Sequence, residues 1–392
     1  MTAESAVQFE ALQAKAQQIL QIFAAAGYER VAPAYIQPAD IFLSCIGEAL
    51  RNRTYVFTDP DGQELCLRPD LTVPAARIYR ERNPEGGTSA RYCYNGAAFR
   101  YQPIRGDAMR PREFRQTGLE NYGAGDPEAA EVEVLALILE AVRTSGLKGF
   151  QIRTGDLSLF SDLLNALPIP QRWRDRLIHH FWRPGSFSAA LQRLTRGSAT
   201  LPDAGIAELA SSLDPADRLA AENQVADYLD CENITVLGVR NIGEIAERLL
   251  SAAADMREAP LSRDVIALVE SYLSISGPPA EALAAIEVLT KEAGLSLDRA
   301  IASCRRRHKL MREADIGLDS VIFDADFGRD LEYYSGFVFQ LEMPGRGKSG
   351  NIAGGGRYDG LLRSIGAGYD VPAVGSAIHT ERLLAATGGA RG

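Results

Sequence analysis

The chain has 392 residues, 46% of them hydrophobic and 24% charged, with a formal net charge of −9. That length exceeds what one core usually fills, so one large domain with an insertion, or two domains, is expected, and the ordinary composition gives no sign of disorder. The acidic balance argues against a broad nucleic-acid surface, which needs clustered Lys and Arg. Cys45, Cys66, Cys93, Cys231 and Cys304 are odd in number and scattered without a C-x-x-C pair, which fits a reduced, cytoplasmic setting and not a zinc site. Glu4 and Glu10 stand where a secretion signal would need a positive flank, and the apolar run at 134–139 falls far short of the ~20 residues that cross a bilayer.

In chain order, apolar Leu12, Ile19, Leu20, Ile22 and Phe23 recur at a helical period across residues 9–26, with Gly27 as the stop. Residues 28–33 read as a short extended piece ended by proline. Residues 40–50 read as helix, and 54–58 with 64–67 as a hairpin turning at Asp59-Pro-Asp-Gly62. That hairpin runs into residues 67–72 (LRPDLT) and a helix from about Pro74. Pro69 fixes the backbone beside Asp70, so the Asp70 carboxylate and the Thr72 hydroxyl are presented from a rigid corner, either to cap the helix or to meet a ligand.

Residues 90–122 hold two apolar-rich segments joined by a polar loop with Arg105, Gly106, Asp107, Arg110 and Arg112, the pattern of an antiparallel hairpin. It carries Arg100, Gln116 and Glu120, and the last two, spaced by an even number, leave the same face of a continuous strand. A cation, an amide and a carboxylate on one floor suit a zwitterionic small molecule. Taken on the hairpin alone, surface ion pairs are the simpler account.

Residues 126–144 form a strongly periodic helix and 150–153 a strand. From 156 to about 316 the pattern is almost wholly helical, broken at Pro168, Pro170, Pro184, Pro202 and Gly277-Pro278-Pro279, and reads as an inserted helical region. Within it His179 and His180 point about 100° apart on a helix, which suits packing rather than a shared metal. Arg305-Arg-Arg-His308 reads as a solvated helix face. Strand character returns at 320–326 and through 328–342, where alternation sends one of Tyr333 and Tyr334 inward and the other outward. A buried tyrosine needs a hydrogen-bond partner, which a ligand can provide. Gly345-Arg-Gly-Lys-Ser349 has the tail of a phosphate-binding loop but Glu342 where the first glycine belongs, and is set aside. Residues 353–360 (AGGGRYDG) precede a helix at 361–365, and 374–383 read as strand into helix.

Five of these pieces, in order, resemble the catalytic domain of histidyl-tRNA synthetase, a class II synthetase: LRPDLT at 67–72, Phe99-Arg100 with Glu113-Phe-Arg-Gln116, RDLEYY at 329–334, GGRYDG at 355–360, and residues 375–382. The likeness runs from about Phe9 to Arg382. It implies an α+β fold, a class II aminoacyl-tRNA synthetase-like mixed, mainly antiparallel sheet of about six or seven strands with flanking helices. Residues 1–155 and 317–392 would form that core, and 156–316 the helical insertion. The resemblance also implies a histidine pocket of Asp70, Thr72, Arg100, Gln116, Glu120, Arg329, Tyr333 and Tyr334. In it Glu120 and a tyrosine hold the two imidazole nitrogens, Arg329 the carboxylate, and Asp70, Thr72 and Gln116 the ammonium. Asp70 replaces the family's glutamate and shortens its reach by one methylene.

Two departures fall on the family's nucleotide side: Gln102 stands where a glutamate helps bind ATP, and His379 where a glycine lets adenine approach. Arg382 is kept, and ten residues follow it, too few for the family's anticodon-binding domain of roughly a hundred. An amino-acid pocket without nucleotide or tRNA machinery is similar to the synthetase-like regulatory subunits of ATP phosphoribosyltransferase. That likeness implies a non-catalytic chain with no cofactor and no metal. It would assemble with the short-form catalytic subunit at the first step of histidine biosynthesis, bind L-histidine as the effector of feedback inhibition, self-dimerise within a hetero-oligomer, and engage neither tRNA nor membrane. The competing expectation is a free-standing histidine-activating enzyme, in which Arg100 and Arg382 clamp a triphosphate. A scaffold with an empty pocket is the third.

Overall fold

The computed structural model describes residues 5–45, 50–102, 111–181, 184–195, 204–215, 217–232, 234, 242–329, 331–346 and 350–388. The chain divides into two compact units, residues 1–166 with 271–392, and residues 167–270.

In the first unit, α1 (Ala6–Ala25) starts at a capping box: Ser5 accepts from the Gln8 N–H while the Gln8 side chain returns to the Ser5 N–H. It ends before Gly27, whose φ of 86° a side chain would resist. The two-residue β1 (Glu29–Arg30) follows, then β2 (Ile36–Pro38), α2 (Ala39–Cys45), β3 (Val56–Thr58), β4 (Glu64–Leu67) and α3 (Thr72–Arg82). The expected hairpin forms as β5 (Ala90–Phe99) and β6 (Glu113–Tyr122), paired antiparallel along their whole length. Of its loop, Arg105, Gly106, Asp107 and Arg110 lie outside the described residues, and Arg112 sits over the Tyr101 ring. Asp126 caps α4 (Pro127–Thr144) by accepting from the Ala129 N–H. β7 (Gln151–Asp156) and α5 (Leu157–Ala166) close this part of the chain.

The second unit holds α6 (Gln171–Phe181), α7 (Pro184–Thr195), α8 (Ala204–Ser212), α9 (Arg218–Cys231) and α10 (Ile242–Arg257), and α11 (Arg263–Leu273) leads out of it. Its small core joins Leu213, Ala221, Val225 and Ala246, and the Trp173 indole donates to the Ala259 carbonyl at 2.8 Å. On α6 His179 is exposed and His180 half-buried.

Back in the first unit come β8 (Ser276–Gly277), α12 (Pro279–Glu292), α13 (Asp298–Glu313), β9 (Val321–Asp324), β10 (Phe337–Glu342), β11 (Asn351–Arg357), α14 (Leu361–Ser364), β12 (Ala373–His379) and α15 (Thr380–Ala386). The large sheet runs β1-β5-β6-β12-β11-β10-β7-β9-β8, with β1/β5 and β7/β9 parallel and the rest antiparallel. A second, three-stranded sheet runs β2-β4-β3. One face of the large sheet, with Leu119, Phe339, Ala353 and Ile378, joins Ile19, Phe23, Leu135, Ile138 and Leu139 of α1 and α4 in the main core.

Three expectations change. The sheet has nine strands rather than six or seven, because its two edges are two-residue strands too short to leave a pattern. The compact helical unit is 167–270, not 156–316; α5, α12 and α13 belong to the synthetase-like unit, where α13 packs on α4. The basic run on α13 is not all solvated, since Arg307 is 4% exposed and pairs with Glu131 and Asp156. The helix expected after residues 353–360 forms at Leu361–Ser364, and the glycine run before it lies in the central strand β11. Among the described residues no helix is long and apolar enough to cross a membrane.

Candidate functional site

The face of the large sheet opposite the core is floored with glycines. Strand pairing sets Glu120 beside Gly375, which faces Gly356, and sets Gly118 beside Ala377, which faces Gly354. A glycine inside a strand weakens it unless something must come close. Here three of the vacated Cβ positions are taken by site side chains: Glu120 lies over Gly375, the Arg329 guanidinium over Gly354, and the Tyr94 ring over Gly118.

The corner at 67–72 is locked from three sides. Arg68, 2% exposed, donates to the Ala97 and Pro33 carbonyls, and its guanidinium fills the place a Gly96 side chain would take. Arg100 donates from Nε to the Pro69 carbonyl at 2.8 Å. Of the two roles the sequence left open for Asp70, the structure shows the cap, with the second oxygen turned to a tyrosine. Asp70 Oδ1 accepts from the Val73 N–H at 3.2 Å, capping α3, while Oδ2 faces the Tyr333 hydroxyl at 3.5 Å. Burial raises the Asp70 pKa against the pull of Arg100. The Thr72 hydroxyl hydrogen-bonds into the same cluster with Glu120 and Tyr333.

Glu120 is the centre of the site. It has no exposed surface, and it accepts from the Tyr94 hydroxyl at 2.7 Å and from the Tyr358 hydroxyl. Burial pushes its pKa up to about 7, while Tyr358, Tyr94 and Thr72 hold it down. Gln116, on the same strand face, is 7% exposed, and its Oε1 has no hydrogen-bond partner among the described residues. Arg329 donates from one terminal nitrogen to the Phe339 carbonyl at 3.2 Å, and its buried Nε is unpartnered among the described residues. Tyr333, Tyr334 and Tyr358 pack with ring centroids 4.8, 5.6 and 6.2 Å apart. Beside them burial drives the Arg100 pKa down to about 10, with Asp70 opposing and Arg53 and Arg329 reinforcing the fall. His379 stays neutral: burial, then Arg382, Arg100 and Arg329, hold its pKa well below the usual value, and its ring lies 5.3 Å from that of Phe114.

The expected residues therefore share one side of one sheet, but two points differ. Tyr333 and Tyr334 do not alternate inward and outward; they precede β10 in a turn, and both are buried, at 8% and 7% exposed. The Ser335 N–H donates to the Arg357 carbonyl and the Asp359 N–H to the Ser335 hydroxyl, which folds both rings onto Tyr358. The second point is that Tyr94 and Tyr358, absent from the expected set, bind Glu120 directly. Tyr358 lay within the GGRYDG motif, while Tyr94 shares a strand face with Tyr92, the residue paired with Glu120, a register only the structure supplies.

Chemically this cluster holds polar acceptors, a guanidinium and a buried carboxylate among phenols, groups able to pair with an ammonium, a carboxylate and a ring N–H. A family model described as Histidyl-tRNA synthetase matches residues 5–231 and 216–383. An ATP phosphoribosyltransferase regulatory subunit/histidyl-tRNA synthetase from Bacillus halodurans superposes with a TM-score of 0.69 at 19% identity, covering 99% of this chain and 82% of that one. Fold and site together thus define a class II histidyl-tRNA synthetase-like α+β protein. The ATP phosphoribosyltransferase regulatory subunit of Chelativorans sp. is 34% identical over 378 residues, 95% of this chain and 97% of that one. That of Brucella anthropi is 34% identical over 355 residues, 89% and 90% of the two chains. The chain belongs to the ATP phosphoribosyltransferase regulatory subunit family.

Proposed function

We propose that this chain is a non-catalytic subunit that binds L-histidine in the Glu120 pocket and passes its occupancy to a short-form ATP phosphoribosyltransferase catalytic subunit, as feedback inhibition of the first step of histidine biosynthesis. The observation that carries the reading is the polarity of the site: a fully buried Glu120 on the same side of the sheet as two atoms without protein partners among the described residues, Gln116 Oε1 and Arg329 Nε. Buried polar atoms are almost always paired, so their pairing by a ligand's ammonium and carboxylate is the economical account. A neutral imidazole supplies the remaining complement, a ring N–H for Glu120 and a ring nitrogen to accept from a tyrosine hydroxyl. Inhibition then requires that histidine favour one of two conformations of the complex, with coupling of about 1–3 kcal/mol. Self-pairing is part of the same reading, and Ile36, Val56 and Phe57 of the small sheet are exposed apolar side chains. Free cysteines suit a cytoplasmic setting.

Calorimetric titration with L-histidine, then transferase assays after co-purification with the short catalytic subunit, test the reading. Glu120→Gln and Arg329→Ala each abolish inhibition by histidine while the two subunits still co-purify. Full inhibition in both variants places the effector elsewhere. Histidine-dependent exchange between ATP and pyrophosphate by the isolated chain would replace the regulatory reading with the enzymatic one.

A further inference from the structure

Both oxygens of Glu120 are engaged before any ligand arrives. Tyr94 of β5 donates to Oε1 at 2.7 Å, and Tyr358, just past β11, donates to Oε2. The two phenols are 0% and 1% exposed, so neither hydroxyl has water as an alternative. Beneath them Gly375 leaves the space that the carboxylate fills. Two donors from different parts of the sheet and a floor without a side chain fix the plane of the carboxylate. Each carboxylate oxygen has two lone pairs, so with the two phenols and Thr72 engaged one acceptor position of Glu120 is left.

We propose that Tyr94 and Tyr358 are positioning residues that set the selectivity of the pocket, holding Glu120 as an oriented acceptor so that it takes an amino acid whose side chain carries a ring N–H and rejects one of the same shape without it. This rests on the reading of the site as an amino-acid pocket. A hydroxyl that donates to Glu120 has no second proton to give, so the other ring nitrogen must find its donor elsewhere. Tyr333 can provide it, because its 3.5 Å approach to Asp70 is long for an O–H donor.

The same geometry gives the pocket a pH signature. Burial favours the protonated acid at Glu120, while the phenols and Thr72 favour the ionised acceptor. The other groups that face it are Asp70, from the corner before α3, and Tyr122, on its own strand, together with Tyr333 and Tyr334 from the turn before β10. Removing one phenol hydroxyl therefore shifts the balance toward the acid, a neutral and weaker acceptor for a ring N–H than the carboxylate.

The test is calorimetry on the full chain between about pH 6 and 9, with L-histidine and with β-(2-thienyl)alanine, whose ring has similar shape and no N–H. The wild-type chain prefers histidine by at least about 100-fold, since a site built around a buried hydrogen bond rejects an analogue that leaves it unmade. In Tyr94→Phe and Tyr358→Phe the histidine-to-thienylalanine ratio falls by roughly 10-fold or more, and the rise of histidine affinity with pH moves up by about one unit. A variant that merely folds poorly loses both ligands together, so the ratio separates positioning from collapse. Wild-type ratios and wild-type pH profiles in both variants overturn the inference. A wild-type chain that gives no heat with histidine overturns the amino-acid pocket itself, and this inference with it.

Discussion

A carboxylate with no solvent contact burdens the fold, and at Glu120 the sign of that burden can be measured. The ordinary value of the group is 4.5, and in the folded chain burial lifts it to about 7. The folded state thus holds the proton more tightly than the unfolded one. Its favourable contribution is full below about pH 4.5 and is lost as pH rises through about 7, beyond which the ionised group costs on the order of 3 kcal/mol. Without histidine, Glu120→Gln should melt several degrees higher than wild type at pH 8, with the difference fading by pH 4.5. Equal melting temperatures across that range would show that the phenols fully compensate burial. At this scale the sequence offered the polar inventory, with Asp70, Gln116, Glu120 and Arg329 in ordered motifs, and the structure buries Asp70, Gln116 and Glu120. The sequence did not show Tyr358 as a partner of Glu120. That contact needs Gly356, Gly375 and Glu120 aligned in one row across three strands, and residues so far apart in sequence carry no local mark of their register.

Elements, more than residues, explain why the strand at 351–357 left no strand pattern of its own in the sequence. Glycine is a poor strand former on propensity, and a run of three reads as a turn. Its use in β11 appears only once the neighbours are known. Gly354 and Gly355 look alike in sequence but face opposite sides of the sheet, and their substitutions should separate cleanly. A Cβ at Gly354 would overlap the end of the Arg329 side chain, a flexible group that can move away. Gly354→Ala should leave the chain folded, as judged by circular dichroism, and weaken histidine binding roughly 10-fold or more by displacing the guanidinium. A Cβ at Gly355 would meet the Gly375 carbonyl and the Ser376 backbone, which cannot yield without parting β11 from β12. Gly355→Ala should therefore cost about 1–3 kcal/mol as an overpacking strain and lower the melting temperature whether or not histidine is present. If the two variants behaved alike, the assignment of opposite faces would be wrong. The tyrosine pair shows the same limit: period-two alternation assumes a strand, and Tyr333 and Tyr334 lie in a turn held by Ser335.

Across the whole molecule, the fold class was readable because strong caps, an unbroken hairpin and a recurrent order of motifs all point one way. The unit boundaries were not, because α12 and α13 are as helical as the second unit and differ only in where their buried faces go. The decisive residue is Arg307. It donates to Glu131 at 2.6 Å and to Asp156 at 2.8 Å, and Arg357 approaches Glu131 at 3.4 Å from β11. One buried network therefore ties α13 to α4, β7 and β11. In sequence Arg307 is the third of three arginines, and nothing distinguishes it from the exposed Arg305 and Arg306. Burying so many charges is weak evidence of net stability, since well-packed apolar groups often do as well, but removing one partner leaves the others uncompensated. Arg307→Met should destabilise the chain by about 3–5 kcal/mol in denaturant unfolding. Adding Glu131→Gln and Asp156→Asn to that variant removes the stranded charges and should recover part of the loss. The recovery is the informative outcome: a triple variant less stable than Arg307→Met would mean that the carboxylates are held by something other than the guanidinium, and that α13 is not fastened to the sheet through this network.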